Sequence, residues 1–175
     1  MLIRNRKSSG FTIVELLIVI VVIGILAAIT MVAYNGIQRQ AKDTRRLSDT
    51  RSIMTALELY KLDVGNYPQP TSVNASWEDS YEDGGSGAFM EYLQSNGVIN
   101  QPAPVDPTNT APMSYAYYVY AAGTSSCDVA RGAFYVLGVR EMESTGRPHP
   151  KSPGFTCTGR NWSVEFDWVT GGYEN

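Results

Sequence analysis

The chain has 175 residues, with 14 lysines and arginines against 17 aspartates and glutamates and a single histidine. That length suits one folded domain with an appendage, and an 18% charged fraction with 11 tyrosines excludes wholesale disorder. A formal charge of −3 and a pI near 5.1 argue against a nucleic-acid partner. Two cysteines and His149 fall one ligand short of a four-coordinate zinc site. The charge is unevenly spread. Residues 1–10 hold three bases and no acid, residues 11–61 six bases against four acids, and residues 62–175 five bases against thirteen acids. A basic start followed by an acidic remainder is not the pattern of a cytosolic enzyme.

Leu16 to Tyr34 is a run of nineteen residues whose only ionisable side chain is the Tyr34 phenol. Counted from Phe11 the apolar stretch is 24 residues long, with Glu15 as its only charge. At about 1.5 Å per residue, some 20 helical residues cross a bilayer core of about 30 Å. A strand of this length lies far outside the usual range, so the run reads as a helix despite its valines and isoleucines. Arg4, Arg6 and Lys7 precede it and should stay cytoplasmic. A cleaved secretory signal would have a shorter apolar region, whereas this one continues past Ala27-Ala28 to Ala33.

Glu15 separates this segment from an ordinary anchor. An ionised carboxylate in a bilayer costs about 2.5–3.5 kcal/mol or more and so calls for a partner. No Lys or Arg follows it for 23 residues. A cut between Gly10 and Phe11 would create an α-amino cation one helical turn away.

Gly10-Phe11-Thr12-Ile13-Val14-Glu15-Leu16-Leu17-Ile18-Val19-Ile20 closely resembles the class III signal of type IV pilins and pseudopilins. The resemblance implies cleavage after Gly10 by a prepilin peptidase, methylation of the Phe11 amine, and assembly through Phe11 and Glu15 into a helical filament of identical subunits. It further implies a single-pass stay in the cytoplasmic membrane, dealings with a pilus assembly platform and its ATPase machinery, and a final place in an extracellular filament on the cell surface. The leading expectation is a type IV pilus subunit. The alternatives are a pseudopilin of a type II secretion or DNA-uptake system, and a membrane-anchored binding module that never polymerises. Val32 stands where members of the family commonly have proline, which leaves Gly24 and Gly36 as the weak points of the helix.

The helix is expected to run from Phe11 to about Leu62 and to end at Gly65-Asn66-Tyr67-Pro68. Ile37, Ala41, Thr44, Leu47, Met54, Leu57, Tyr60 and Val64 form an apolar stripe, with Arg39, Lys42, Arg45, Arg46 and Arg51 on a solvated surface. The expected organisation is a leader at 1–10, a membrane and filament-core helix at 11–34, an amphipathic helix at 35–64 and a head at 65–175.

Residues 65–113 read as a long connection containing a short helix at Ala88–Leu93 ended by Asn96-Gly97. Glu78, Asp79, Glu82 and Asp83 invite a calcium reading, but match no EF-hand spacing and are taken as a solvated acidic loop. Strands are expected at Ser114–Ala121, at Ala133–Arg140 as the central one, and through the alternating Trp162, Val164, Phe166 and Trp168. An antiparallel sheet laid on the helix stripe makes an α+β, pilin-like fold. Beyond the membrane the compartment is oxidising, which favours a Cys127–Cys157 disulfide bounding a 127–157 loop; free buried cysteines are the alternative. No phosphate loop, nucleophile elbow or metal-ligand spacing is present, so no catalytic residue, metal or cofactor is expected. His149, between two prolines, reads as exposed.

Overall fold

The computed structural model describes residues 10–71, 76–81 and 89–175. The basic leader residues Arg4, Arg6 and Lys7, together with Glu82, Asp83 and Ala88, lie outside them. The chain divides into two compact units, Met1–Gln38 and Arg39–Asn175.

The first unit is helical from Ile13, where α1 (Ile13–Val64) begins. Gly24, Val32 and Gly36 do not interrupt the helix. The Thr30 hydroxyl donates to the carbonyls of Leu26 and Ala27, both at 3.0 Å, and so spends its polarity on its own backbone. None of this unit's described side chains is buried. The helix is long and apolar enough to cross a membrane.

The second unit combines the rest of α1 with a four-stranded antiparallel sheet in the order β1-β2-β3-β6: β1 (Glu78–Asp79), β2 (Tyr115–Tyr120), β3 (Phe134–Val139) and β6 (Trp168–Tyr173). A short α2 (Glu91–Ser95) precedes β2, and a small ribbon of β4 (Thr156–Cys157) and β5 (Arg160–Asn161) precedes β6. This is an α+β fold. The register sets Tyr117 against Leu137 and Leu137 against Thr170. β3 is buried at all six positions, as suits a strand covered on both faces. On one face Tyr115, Tyr117, Tyr135, Leu137, Val139 and Trp168 pack with Ile53, Ala56 and Leu57 of α1. Phe134, Val136, Trp162, Phe166 and Val169 form a second cluster with Cys127, which is joined to Cys157 by a disulfide. Gly138 is where the Phe166 ring lies against the β3 backbone, so close that a Cβ would overlap it.

The helix ends at Val64, followed by Gly65 at φ +93°, a left-handed conformation that glycine adopts without steric cost.

Four expectations are corrected. The stripe from Ile37 to Val64 is only in part the face α1 buries: Leu57 is buried and Leu47, Met54 and Tyr60 pack half-buried against the core. Ile37, Ala41, Thr44 and Val64 are exposed, and the buried positions are Asp43, Arg46, Thr50, Ile53, Ala56 and Leu57. Apolar periodicity misses this phase because half of the buried face is polar and finds its partners in distant loops. Trp162 to Val164 is a 3-10 turn, not strand, and the strand starts at Trp168. The Asn161 side chain accepts the Ser163 N–H at 3.0 Å, and the Phe166 N–H reaches the Trp162 carbonyl at 3.1 Å, so local bonds override the alternation. Glu78 and Asp79 are buried, not solvated: Glu78 accepts from the Met90 N–H at 2.6 Å and Asp79 pairs with Arg140 at 2.5 Å. His149 is only 8% exposed; its N–H donates to the Asp167 carbonyl, and its Nδ1 accepts the Lys151 N–H at 3.0 Å.

Candidate assembly site

The start of α1 is built from four residues. Gly10 and Phe11 precede the helix, and Phe11 is 80% exposed. Thr12 occupies the position before the first helical residue, where a hydroxyl can accept from an N–H left unpaired by the first turn. Its Oγ1 accepts the Glu15 N–H at 3.3 Å, and the Glu15 carboxylate accepts both the Thr12 N–H at 2.8 Å and the Thr12 hydroxyl at 2.7 Å. This is a reciprocal capping box, and the carboxylate also faces the positive end of the helix dipole. Glu15 therefore has partners inside its own chain, and Thr12 belongs to the site. The pattern Thr-x-x-Glu before an apolar run carries that signal in the sequence itself.

Gly10 has a different character. A Cβ there would meet nothing within 4 Å, and its backbone is not in the left-handed region. The fold makes no demand for glycine at this position.

The second charged arrangement lies in the other unit, where α1 carries Asp43 and Arg46 one turn apart. Arg46 is fully buried and holds Asp106 in a two-pronged contact, Nε to Oδ2 at 2.7 Å and Nη2 to Oδ1 at 2.9 Å. Its Nη1 reaches Asp43 at 2.7 Å and its Nη2 reaches Glu143 at 3.1 Å. Lys42 adds a second cation, 3.2 Å from Glu143. Asp43 also accepts the backbone N–H groups of Glu143 and Ser144, at 2.9 and 2.7 Å. Two stretches far apart in sequence, at Asp106 and at Glu143–Ser144, are thus pinned to one helical turn.

Burial works against the guanidinium charge of Arg46, but Asp106, Asp43 and Glu143 more than offset it and hold the charge more firmly than usual. Burial likewise raises the Asp43 carboxyl, yet the donors from Ser144, Glu143 and Arg46 bring it below its ordinary value. Glu143 is lowered in the same way, with Thr108, Arg46 and Lys42 prevailing over burial. Reading the basic residues as a solvated face misplaces Arg46, because its partners at 106 and 143 become neighbours only on folding. Among the described residues no cluster of His, Cys, Asp and Glu has the geometry of a metal site.

Gly10, Phe11 and Glu15 thus lie together at the start of α1. Cys127 and Cys157 are brought together instead behind the sheet, beside Phe134 and Trp162.

Residues 5–31 match the family model described as the prokaryotic N-terminal methylation motif. The chain is 36% identical over 93 residues to type II secretion system core protein G of Aeromonas hydrophila, a match covering 47% of this chain and 64% of that protein. The protein of the same name from Pseudomonas aeruginosa is 42% identical over 65 residues, covering 37% of this chain and 46% of the relative. That from Escherichia coli is 39% identical over 62 residues, covering 35% and 43%. The chain spans less than two thirds of the length of these curated relatives. No solved structure matches it. The chain thus carries an N-terminal methylation motif at the head of a long apolar helix with a small antiparallel sheet beyond, a pilin-like α+β fold, and over part of its length it is similar to these secretion-system proteins.

Proposed function

We propose that the chain is a pseudopilin, a structural subunit rather than an enzyme, that polymerises through α1 into a filament serving secretion. In this reading it waits in the cytoplasmic membrane as a single-pass protein. A prepilin peptidase removes the leader after Gly10, the Phe11 amine is methylated, and an assembly platform with its ATPase adds the subunit to the filament. The relatives favour this alternative over the surface pilus expected first, since they are named for a secretion system.

One observation carries the assembly reading: none of the described side chains from Gly10 to Gln38 is buried within its own chain. So much apolar surface requires lipid or the same helix of other copies around it. Gly10 supports the processing step, because nothing in the fold requires glycine there while a peptidase cutting at this bond would. Gly10→Val is expected to leave the chain at precursor length.

The capping box gives Glu15 a role that needs no second copy, so the experiment must separate capping from charge. Glutamine keeps the box and removes the charge. If Glu15 pairs with the Phe11 amine of a neighbour, Glu15→Gln and Glu15→Ala both lose filaments while membrane insertion and leader cleavage remain intact. Sheared-filament yield is measured beside the subunit level in membranes. Wild-type yield from Glu15→Gln alone reduces Glu15 to a helix cap, and wild-type yield from both variants removes it from assembly.

A further inference from the structure

A cavity of about 200 Å³ lies within the unit Arg39–Asn175, between residues 40–47 of α1 and the loop 144–151. The Thr145 hydroxyl belongs to its lining, enclosed and without a hydrogen-bond partner among the described residues. Enclosed polar groups are ordinarily paired, so such an orphan calls for an occupant. His149, 8% exposed, lines the same cavity. Its Nδ1 accepts the Lys151 N–H at 3.0 Å, which leaves the ring proton on Nε2, a donor without a partner among the described residues. Lys151 is tied down by its backbone, through that N–H and through a carbonyl that accepts the Trp168 Nε1–H at 3.0 Å. Its ammonium is unpaired among the described residues and its side chain is exposed.

Asp43 also lines the cavity, but its lone pairs are spent. Its Oδ1 accepts from Arg46 and from the Glu143 N–H, and its Oδ2 from the Ser144 N–H and hydroxyl. What the cavity offers an occupant is therefore a set of donors. We propose that it is a binding site for a carboxylate carried on a short aliphatic chain. The Lys151 ammonium, the His149 Nε2–H, the Thr145 hydroxyl and the Gln40 amide are the donors for the acid's oxygens, and Leu47 and Pro150 supply apolar surface for its chain. The Asp43 charge beside them favours a singly charged acid over a doubly charged phosphate.

One water takes about 30 Å³ of liquid, so the cavity has room for such an acid. Its walls are fixed without an occupant. Asp43 clamps the backbone at Glu143 and Ser144, the His149 N–H donates to the Asp167 carbonyl at 2.6 Å, and Trp168 holds the Lys151 carbonyl. Binding groups set in place beforehand lower the ordering cost of binding. The site is complete within one unit and does not depend on assembly. Two sources offer the same chemistry, a dissolved organic acid and an acidic side chain of another copy.

The test uses the full chain in detergent with its histidine isotopically labelled. His149 is the single histidine, so the NMR signals of its ring nitrogens report this cavity alone. At constant pH, propionate is expected to shift the Nε2 signal saturably, and the neutral propionamide to bind about tenfold more weakly. Thr145→Val is close in shape and loses no hydrogen bond, so it should fold as the wild type does. It and Lys151→Met are each expected to weaken propionate binding about tenfold, whereas Thr145→Ser retains it. A propionate response that never saturates, or that propionamide matches, reduces the cavity to a solvent pocket and overturns the proposal. Unchanged affinity in either Thr145→Val or Lys151→Met overturns it as well, because the acid then binds elsewhere. A dilution series without added acid separates the sources. A signal that moves with chain concentration assigns the carboxylate to another copy, and a constant signal assigns it to a dissolved acid; both keep the site.

Discussion

The two halves of α1 meet the problem of charge in apolar surroundings in opposite ways. At the start of the helix a lone carboxylate, that of Glu15, is held by one neighbouring residue through two hydrogen bonds, with exposed apolar side chains around it. Farther along the same helix, Arg46 is wholly enclosed and answered by three carboxylates from three parts of the chain. The first arrangement is local and leaves its surroundings to be completed by lipid or by other copies. The second is complete within one molecule. On the proposed function, a subunit that leaves a membrane for a filament would need one surface that can exchange partners and one body that does not change. The contrast between Glu15 and Arg46 marks which is which.

Breaking the enclosed cluster should have the largest effect on the stability of the second unit. Arg46→Met leaves Asp43, Asp106 and Glu143 without their central cation, and losing one partner of a buried ion pair costs about 3–5 kcal/mol. Thermal unfolding of the detergent-solubilised chain checks this, with helix insertion expected to be unchanged. Removing the bridge through Cys127→Ser and Cys157→Ser comes next. The sequence separation is 30, and a loop of that size corresponds to about 3–4 kcal/mol on the chain-entropy model.

Acid should sharpen the comparison. Asp43 and Glu143 sit below their ordinary values of 3.8 and 4.5, so their stabilising contribution is present above those values and is lost as pH falls below them. Glu78 is shifted the other way by burial, only partly offset by the N–H of Met90, the Tyr92 hydroxyl and Thr71. Its contribution is present below 4.5 and lost as pH rises through its raised value. The wild-type chain should therefore lose stability on acidification below about pH 4.5, while Arg46→Met, which removes one of the donors that lower Asp43 and Glu143 but keeps Ser144, Thr108 and Lys42, should lose less over the same range. Denaturant midpoints across that window decide it.

The smallest effect belongs to the helix start. Thr12→Ala should cost about 1 kcal/mol, seen as faster amide exchange confined to the first turn of α1, and Thr12→Ser should restore it.

Much of this was legible in the chain because it depends on near neighbours. The apolar run from Leu16, the stop at Gly65, and the Tyr115–Tyr120 and Phe134–Val139 strands each follow from side chains within a few positions of one another. The Thr12–Glu15 box was equally local, but reading Glu15 only as a charge in need of a cationic partner hid it. Trp162 to Trp168 shows the limit of alternation, since strand and turn fit the same apolar pattern and an asparagine side chain chose between them.

What the sequence determined by itself was therefore the membrane-length helix, the signal at its head, and the strand-forming character of the acidic remainder, because covalent neighbours and periodicity decide those. That the inward face of α1 also takes in Asp43, Arg46 and Thr50 was decided only by the tertiary structure. Arg46 is buried because Asp106 and Glu143, 60 and 97 residues away, arrive to neutralise it. Local periodicity weighs a side chain against water; the fold weighs it against the partners it gains, and a desolvated guanidinium gripped by carboxylates lies inside where periodicity alone would set it outside.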